Sequence, residues 1–206
     1  MQYRYISGDS HLEIDSKHWL GRVPAKHRDQ APRLVRQADG SDMWMIGDRI
    51  KRAAAAADLY GGKGRDAYVP FDGRYEGTPG TGSPEQRIGE QERDGIDAEV
   101  LFPSQQGGPK FWRRVEDNDA YKALVRSYNS WLAEEYCAVN SQRLIGVGIL
   151  PLGCQLNDVI DELEFCSKAG VKTVLLQGFP SGNAYPSEAD DRFWARTLEL
   201  NIPVSV

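Results

Sequence analysis

Asp9, His11 and Glu13 are the residues of this sequence whose types and spacing best suit chemistry. They fall at every second position of Ile6-Ser7-Gly8-Asp9-Ser10-His11-Leu12-Glu13. In extended backbone, residues two apart share a face. Asp9 and His11 can therefore point at one spot, and Glu13 joins them if the chain stays extended. A carboxylate oxygen and an imidazole nitrogen converging at a strand end make half of a divalent metal site. The same residues also read as an Asp/Ser turn carrying a surface histidine, and the triad alone leaves both readings open. His18 and His27 have no carboxylate or histidine at ligand spacing and read as surface or packing residues.

The elements that would position these residues follow from the pattern along the chain. Tyr3 to Ile6 reads as a short strand that ends in Ser-Gly and delivers the triad. Residues 14–40 are polar and broken by Pro24 and Pro32, giving a loop with a short helix near 16–22 and a turn near 24–30. Asp42 to Ile50 reads as a small hairpin about Gly47-Asp48. Ala53 to Ala57 has helix propensity. Residues 61–84 form a long loop rich in Gly, Pro and charge. Its stretch Gly77 to Gly82 lacks the Lys-Ser/Thr of a phosphate cradle. Loops this long often serve as lids or contact surfaces.

From residue 85 the pattern is regular. A helix over 85–95 closes at Gly95 and an apolar strand follows over 98–103. The helix predicted over 115–140 carries Tyr121, Leu124, Val125, Tyr128, Trp131, Leu132, Tyr136 and Val139 on one face. A strand over 144–150 stops at Pro151, and a helix over 156–169 closes at Gly170. A strand over 171–176, a helix over 188–200 and a strand from 202 complete the series. Continuous apolar strands alternating with helices indicate a parallel sheet buried on both faces. Five strands would let a doubly wound sheet close, whereas an eight-stranded barrel needs about 250 residues. The chain stops inside its last strand, which reads as a truncated or fragmentary chain.

Composition narrows the function. The 206 residues carry a net charge of -5 with both signs interspersed, and no basic stripe suggests nucleic acid. No apolar run reaches the length of a membrane helix, and the first residues lack a signal-peptide pattern. Cys137, Cys154 and Cys166 match no zinc or C-x-x-C spacing. They read as small buried thiols, suited to a reducing cytoplasm.

Taken in order, these motifs resemble the amidohydrolase-related family, the group of aminocarboxymuconate-semialdehyde decarboxylase. The likeness lies in Ile6-Ser7-Gly8-Asp9-Ser10-His11, in Gly95 through Ser104, and in Asn129-Ser130-Trp131-Leu132-Ala133-Glu134. It continues in Arg143 through Pro151, in Gly170 through Leu176, and from Phe193-Trp194 to Ile202-Pro203-Val204, and so covers essentially the whole chain.

The resemblance implies an α/β fold, a (β/α)8 TIM barrel with a divalent metal at its C-terminal mouth. Residues 1–206 would then be a single incomplete barrel domain, with an insertion at about 14–90 between strands one and two. The family's first-strand metal motif falls on Asp9 and His11. Glu13 is the weaker candidate, either a ligand or a carboxylate orienting His11. Zinc is the first choice of metal, with manganese or iron as alternatives. The family's further ligands, a His after strand five, a His from strand six and an Asp from strand eight, have no counterpart here. The 206-residue chain alone is therefore expected not to be a competent enzyme. Phe102, Ser104 and Gln105 after strand two would line a small-molecule substrate pocket, together with Gln177 and Phe179 after strand four. Pro151, Leu152 and Gly178 stand at the same rim. Plain packing at the rim is the alternative role for each.

Three functions follow. One is a metal-dependent hydrolase in which activated water attacks a C–N or C–O bond. The second is a decarboxylase of an aromatic or unsaturated acid on the same scaffold. The third is a non-catalytic fragment or subunit, partnered by a second copy or a complementing chain.

Overall fold

Five parallel strands lie side by side in the order in which the chain makes them. They are β1 (Ile6–Leu12), β5 (Ala98–Pro103), β6 (Leu144–Ile149), β7 (Thr173–Leu175) and β8 (Val204–Ser205). The computed structural model describes residues 2–53, 74–104 and 107–205. Helices α2 (Pro84–Asp94), α4 (Asn118–Trp131), α5 (Leu156–Lys168) and α6 (Asp191–Leu200) precede β5, β6, β7 and β8 in turn, with a single turn α3 (Pro109–Trp112) between β5 and α4. A doubly wound sheet reverses its strand order at a switch point. Here each strand adds to the same edge, as in a barrel. The sheet corresponds to five of the eight strands of a (β/α)8 barrel.

Between β1 and α2 the chain forms two short helical turns, α1 (Lys17–Leu20) and a 3-10 turn (Ala25–Gln30). A separate antiparallel sheet follows, made of β2 (Pro32–Arg36), β3 (Asp42–Ile46) and β4 (Ile50–Ala53). The hairpin expected over 42–50 is β3 and β4. Strand β2 was hidden by its charges and by Pro32, which the margin of a small sheet tolerates. The helix expected over 53–57 and the first part of the loop over 61–84 fall almost wholly outside the described residues.

Local chemistry explains where the helices start and stop. Ser83 caps α2 by accepting from the Gln86 N–H, Pro84 opens the helix, and Gly95 ends it at φ 71°. Asp117 caps α4 through the N–H groups of Asp119 and Ala120. The apolar stripe of α4 is buried as far as Tyr136, but Val139 is 45% exposed. The helix opens into a π-type turn over Leu132–Tyr136 and a 3-10 turn over Cys137–Val139, so the regular spacing fails there.

Two cores result. One packs Trp19, Trp44, Trp112, Tyr128 and Trp131 with the outer faces of β1 and β5. The other packs Val159, Leu163, Cys166 and Phe193 of α5 and α6 with Val174 and Ile202. Gly146 and Gly148 let the helices approach β6. A Cβ at Gly146 would lie 2.8 Å from Leu132 Cγ, and one at Gly148 would lie 2.9 Å from Cys166 Sγ.

Candidate metal-binding strand and barrel mouth

Strand β1 begins later and runs further than the sequence suggested. Asp9 and His11 therefore lie within it rather than beyond it. Its pairing with β5 steps from Ser7–Glu99 to Ser10–Leu101, three residues against two. This is a β-bulge at Gly8-Asp9, and it resets the alternation of side chains. Ser7 and Ser10, three apart, meet on the outer face with their hydroxyls 2.7 Å apart. Asp9 and His11 turn to the inner face, where His11 stands 6.3 Å from the ring of Phe102.

On that face Asp9 Oδ1 lies 3.6 Å from His11 Nε2. Two donors sharing a divalent ion at about 2.0–2.2 Å are roughly 3–3.5 Å apart, so the pair fits a common ion with little movement. The Asp9 side chain is 90% exposed and that of His11 is 19% exposed, leaving the carboxylate open to an incoming ion. Among the described residues no group of three His, Cys, Asp or Glu is placed to hold a metal. Glu13 follows the alternation but is buried, and it accepts a 2.6 Å hydrogen bond from the Tyr75 hydroxyl. Tyr75 in turn accepts from Trp44 Nε1 at 3.0 Å, and its N–H donates to Asp42. Burial, reinforced by the Glu13 charge, raises the Tyr75 phenol well above its usual pKa, so Tyr75 remains a donor. Glu13 thus ties β1 to the small sheet.

Behind β1 lies a buried ionic cluster. Arg87 of α2 grips Glu99 of β5 with two bonds, Nε to Oε2 at 2.7 Å and Nη2 to Oε1 at 3.0 Å. Gln91 and Ser10 also donate to the Glu99 carboxylate, at 2.8 and 2.9 Å. Arg87 Nη1 reaches the His11 carbonyl at 3.3 Å. Burial works against the Glu99 charge, but Arg87, Gln91 and Ser10 outweigh it and hold the carboxyl below its usual range. The cluster thus holds β1 just after the bulge, at the Ser10 hydroxyl and the His11 carbonyl. Sequence reasoning passed over it, although a carboxylate inside the apolar strand 98–103 was the signal that a buried cation must face it.

The remaining mouth residues are dispersed. The Ser104 hydroxyl accepts from the Gly107 N–H at 2.9 Å and so shapes a turn. Gln105 lies outside the described residues. Gln177 borders a cavity of about 270 Å³ with Leu150 and Leu152. Phe179 is half-buried, and its carbonyl receives the Gly182 N–H in a turn; it is not among the residues that line that cavity. Lys110, Arg113 and Tyr121 line the cavity too; the sequence reading had placed Tyr121 on a buried helix face and had not singled out Lys110 or Arg113.

No protein-family model matches the chain, and no curated protein matches it. Solved structures do. An amidohydrolase from Mycobacterium avium subsp. paratuberculosis K-10 superposes with a TM-score of 0.71 at 20% identity, over 99% of this chain and 58% of its own. The 5-carboxyvanillate decarboxylase of Sphingomonas paucimobilis gives 0.56 at 15%, over 98% and 51%. A dihydroxybenzoic acid decarboxylase from Polaromonas sp. JS666, with bound manganese and the inhibitor 2-nitroresorcinol, gives 0.54 at 18%, over 98% and 48%. The chain shares its fold with all three. It spans about half the length of these structures.

Proposed function

We propose that the chain contributes the first metal-binding strand and part of the substrate mouth of a metal-dependent hydrolase of the amidohydrolase-related family. The observation that carries this reading is the 3.6 Å approach of Asp9 Oδ1 to His11 Nε2 on the inner face of β1. A divalent cation held there would supply Lewis acidity and lower the pKa of a bound water. Asp9 brings negative charge to the ion and His11 a neutral nitrogen. The Arg87–Glu99 cluster keeps both on one face, and Phe102 walls the inner side beside His11. Asp9 and His11 are half of a coordination shell, so a working site needs further donors.

Decarboxylation of a small organic acid is the second reading. Two of the three structures compared above are named as decarboxylases, and such chemistry would use the same pair of ligands. One oxygen and one nitrogen donor suit zinc, manganese or iron alike. The manganese in the Polaromonas structure brings that metal level with zinc as a candidate. We place the protein in the cytoplasm because its cysteines are free thiols. Among the described residues no helix is long and apolar enough to cross a membrane.

Equilibrium dialysis against zinc or manganese tests the assignment. The wild-type chain is expected to retain metal, and His11→Ala to retain less than a tenth as much at unchanged circular dichroism. Equal retention by the two proteins would remove residues 9–11 from the metal site.

A further inference from the structure

The cavity at the ends of β6 and β7 has a chemistry of its own. Its floor is apolar, made by Ile149, Leu150, Leu152 and Leu175, and its charged lining residues are Lys110 and Arg113, both cationic. In a chain of net charge -5, no acidic side chain among the described residues lines it, and among them neither cation forms an ion pair. The nearby carboxylates of Asp119 and Asp158 are each engaged 3.1 Å from Lys122. Arg113 is held by neutral acceptors, at 3.4 Å from the Val115 carbonyl, 3.4 Å from Asn118 Oδ1 and 3.3 Å from the Gly153 carbonyl. These bonds orient the guanidinium without cancelling its charge. Its carbon also sits 5.1 Å from the Tyr121 ring centroid, a cation–π distance. Tyr121 is itself a buried wall of the cavity, its phenol raised by burial.

The floor is rigidly placed. Asn129 accepts from the Ile149 N–H at 2.9 Å and donates to the Ile149 carbonyl at 2.8 Å. The same amide donates to Glu162 at 2.8 Å, which anchors it to α5. Gln177 adds a neutral polar group at the rim. A concave apolar floor with fixed polar groups on one side is the usual form of a small-ligand site.

We propose that this cavity binds a compact organic acid, its apolar body on Ile149, Leu150 and Leu175 and its carboxylate between Arg113 and Lys110. Arg113 supplies an oriented fork for the carboxylate, and Lys110 supplies a mobile charge. The identification of this acid with the enzyme's substrate rests on the metal-enzyme reading above. The binding itself does not.

Benzoate, with benzamide as its neutral isostere, probes the site by titration of amide NMR signals of the full chain. Benzoate is expected to bind saturably with a dissociation constant on the order of 1 mM, the scale for so small a ligand. Benzamide should bind at least tenfold more weakly, and added salt should weaken benzoate alone. Lys110→Gln, at an exposed side chain, should cost several-fold. Its combination with Arg113→Gln should cost tenfold or more at unchanged circular dichroism. Asp9→Asn should leave benzoate binding intact while lowering metal retention, so that failure of the metal site and failure of this cavity give different results. Equal affinity for benzoate and benzamide, indifference to both substitutions, or no saturable shift at millimolar benzoate would overturn the proposal.

Discussion

Glu13 illustrates how far residue type and spacing carry. It stands two residues after His11, as a third ligand would, yet its carboxylate is 3% exposed and bonded to Tyr75. The partner comes from 62 positions further along the chain, so nothing near Glu13 announces it. Asp9 and His11 were legible because their convergence needs only local backbone. The bulge that turns them inward was not, since it is defined against β5. Tyr75→Phe would remove the donor to a buried carboxylate and the acceptor of Trp44 Nε1. We expect a loss of about 1–3 kcal/mol, the cost of leaving buried polar groups unsatisfied. Urea unfolding measures it, and a loss below 0.5 kcal/mol, roughly the scale of surface substitutions, would mean that Glu13 finds another donor.

At the scale of elements, the regular second half was readable because α4, α5 and α6 each bury one stripe and the strands between them are continuously apolar. The departures have contact reasons. Gly146 and Gly148 look like weak strand residues in sequence, and their purpose shows only when Leu132 and Cys166 press on β6. The Arg87–Glu99 pair joins α2 to β5 and β1, with side chains 11% exposed on both partners. Replacing Glu99 by Gln strands a buried guanidinium, a change that typically costs about 3–5 kcal/mol. The pH dependence has a definite sign. The folded carboxyl is held below its usual range, so its stabilisation is complete above the unfolded value of about 4.3 and is lost as pH falls through the lower folded value. Acid titration of stability should therefore be shallower below about pH 4.3 in Glu99→Gln than in wild type. Parallel curves would show that Glu99 contributes nothing to acid sensitivity.

For the whole molecule, the decisive feature is strand order. Composition and periodicity could not separate a doubly wound sheet from part of a barrel, since both alternate apolar strands with helices. The order β1-β5-β6-β7-β8 separates them, because it depends on which edge each strand joins. It sets β1 at one margin of the sheet and β8 at the other. Asp9 and His11 thus face a groove of about 690 Å³ beside the outer edge of β1, where further donors would have to come. The chain has three histidines, His11, His18 and His27, so each imidazole can be followed separately by NMR. Titration with manganese, observed on those imidazole signals in wild type and Asp9→Asn, tests the metal assignment most directly. We predict that His11 broadens first and that Asp9→Asn abolishes the selectivity. Equal broadening of all three histidines, or a His11 response unchanged by Asp9→Asn, would contradict the account.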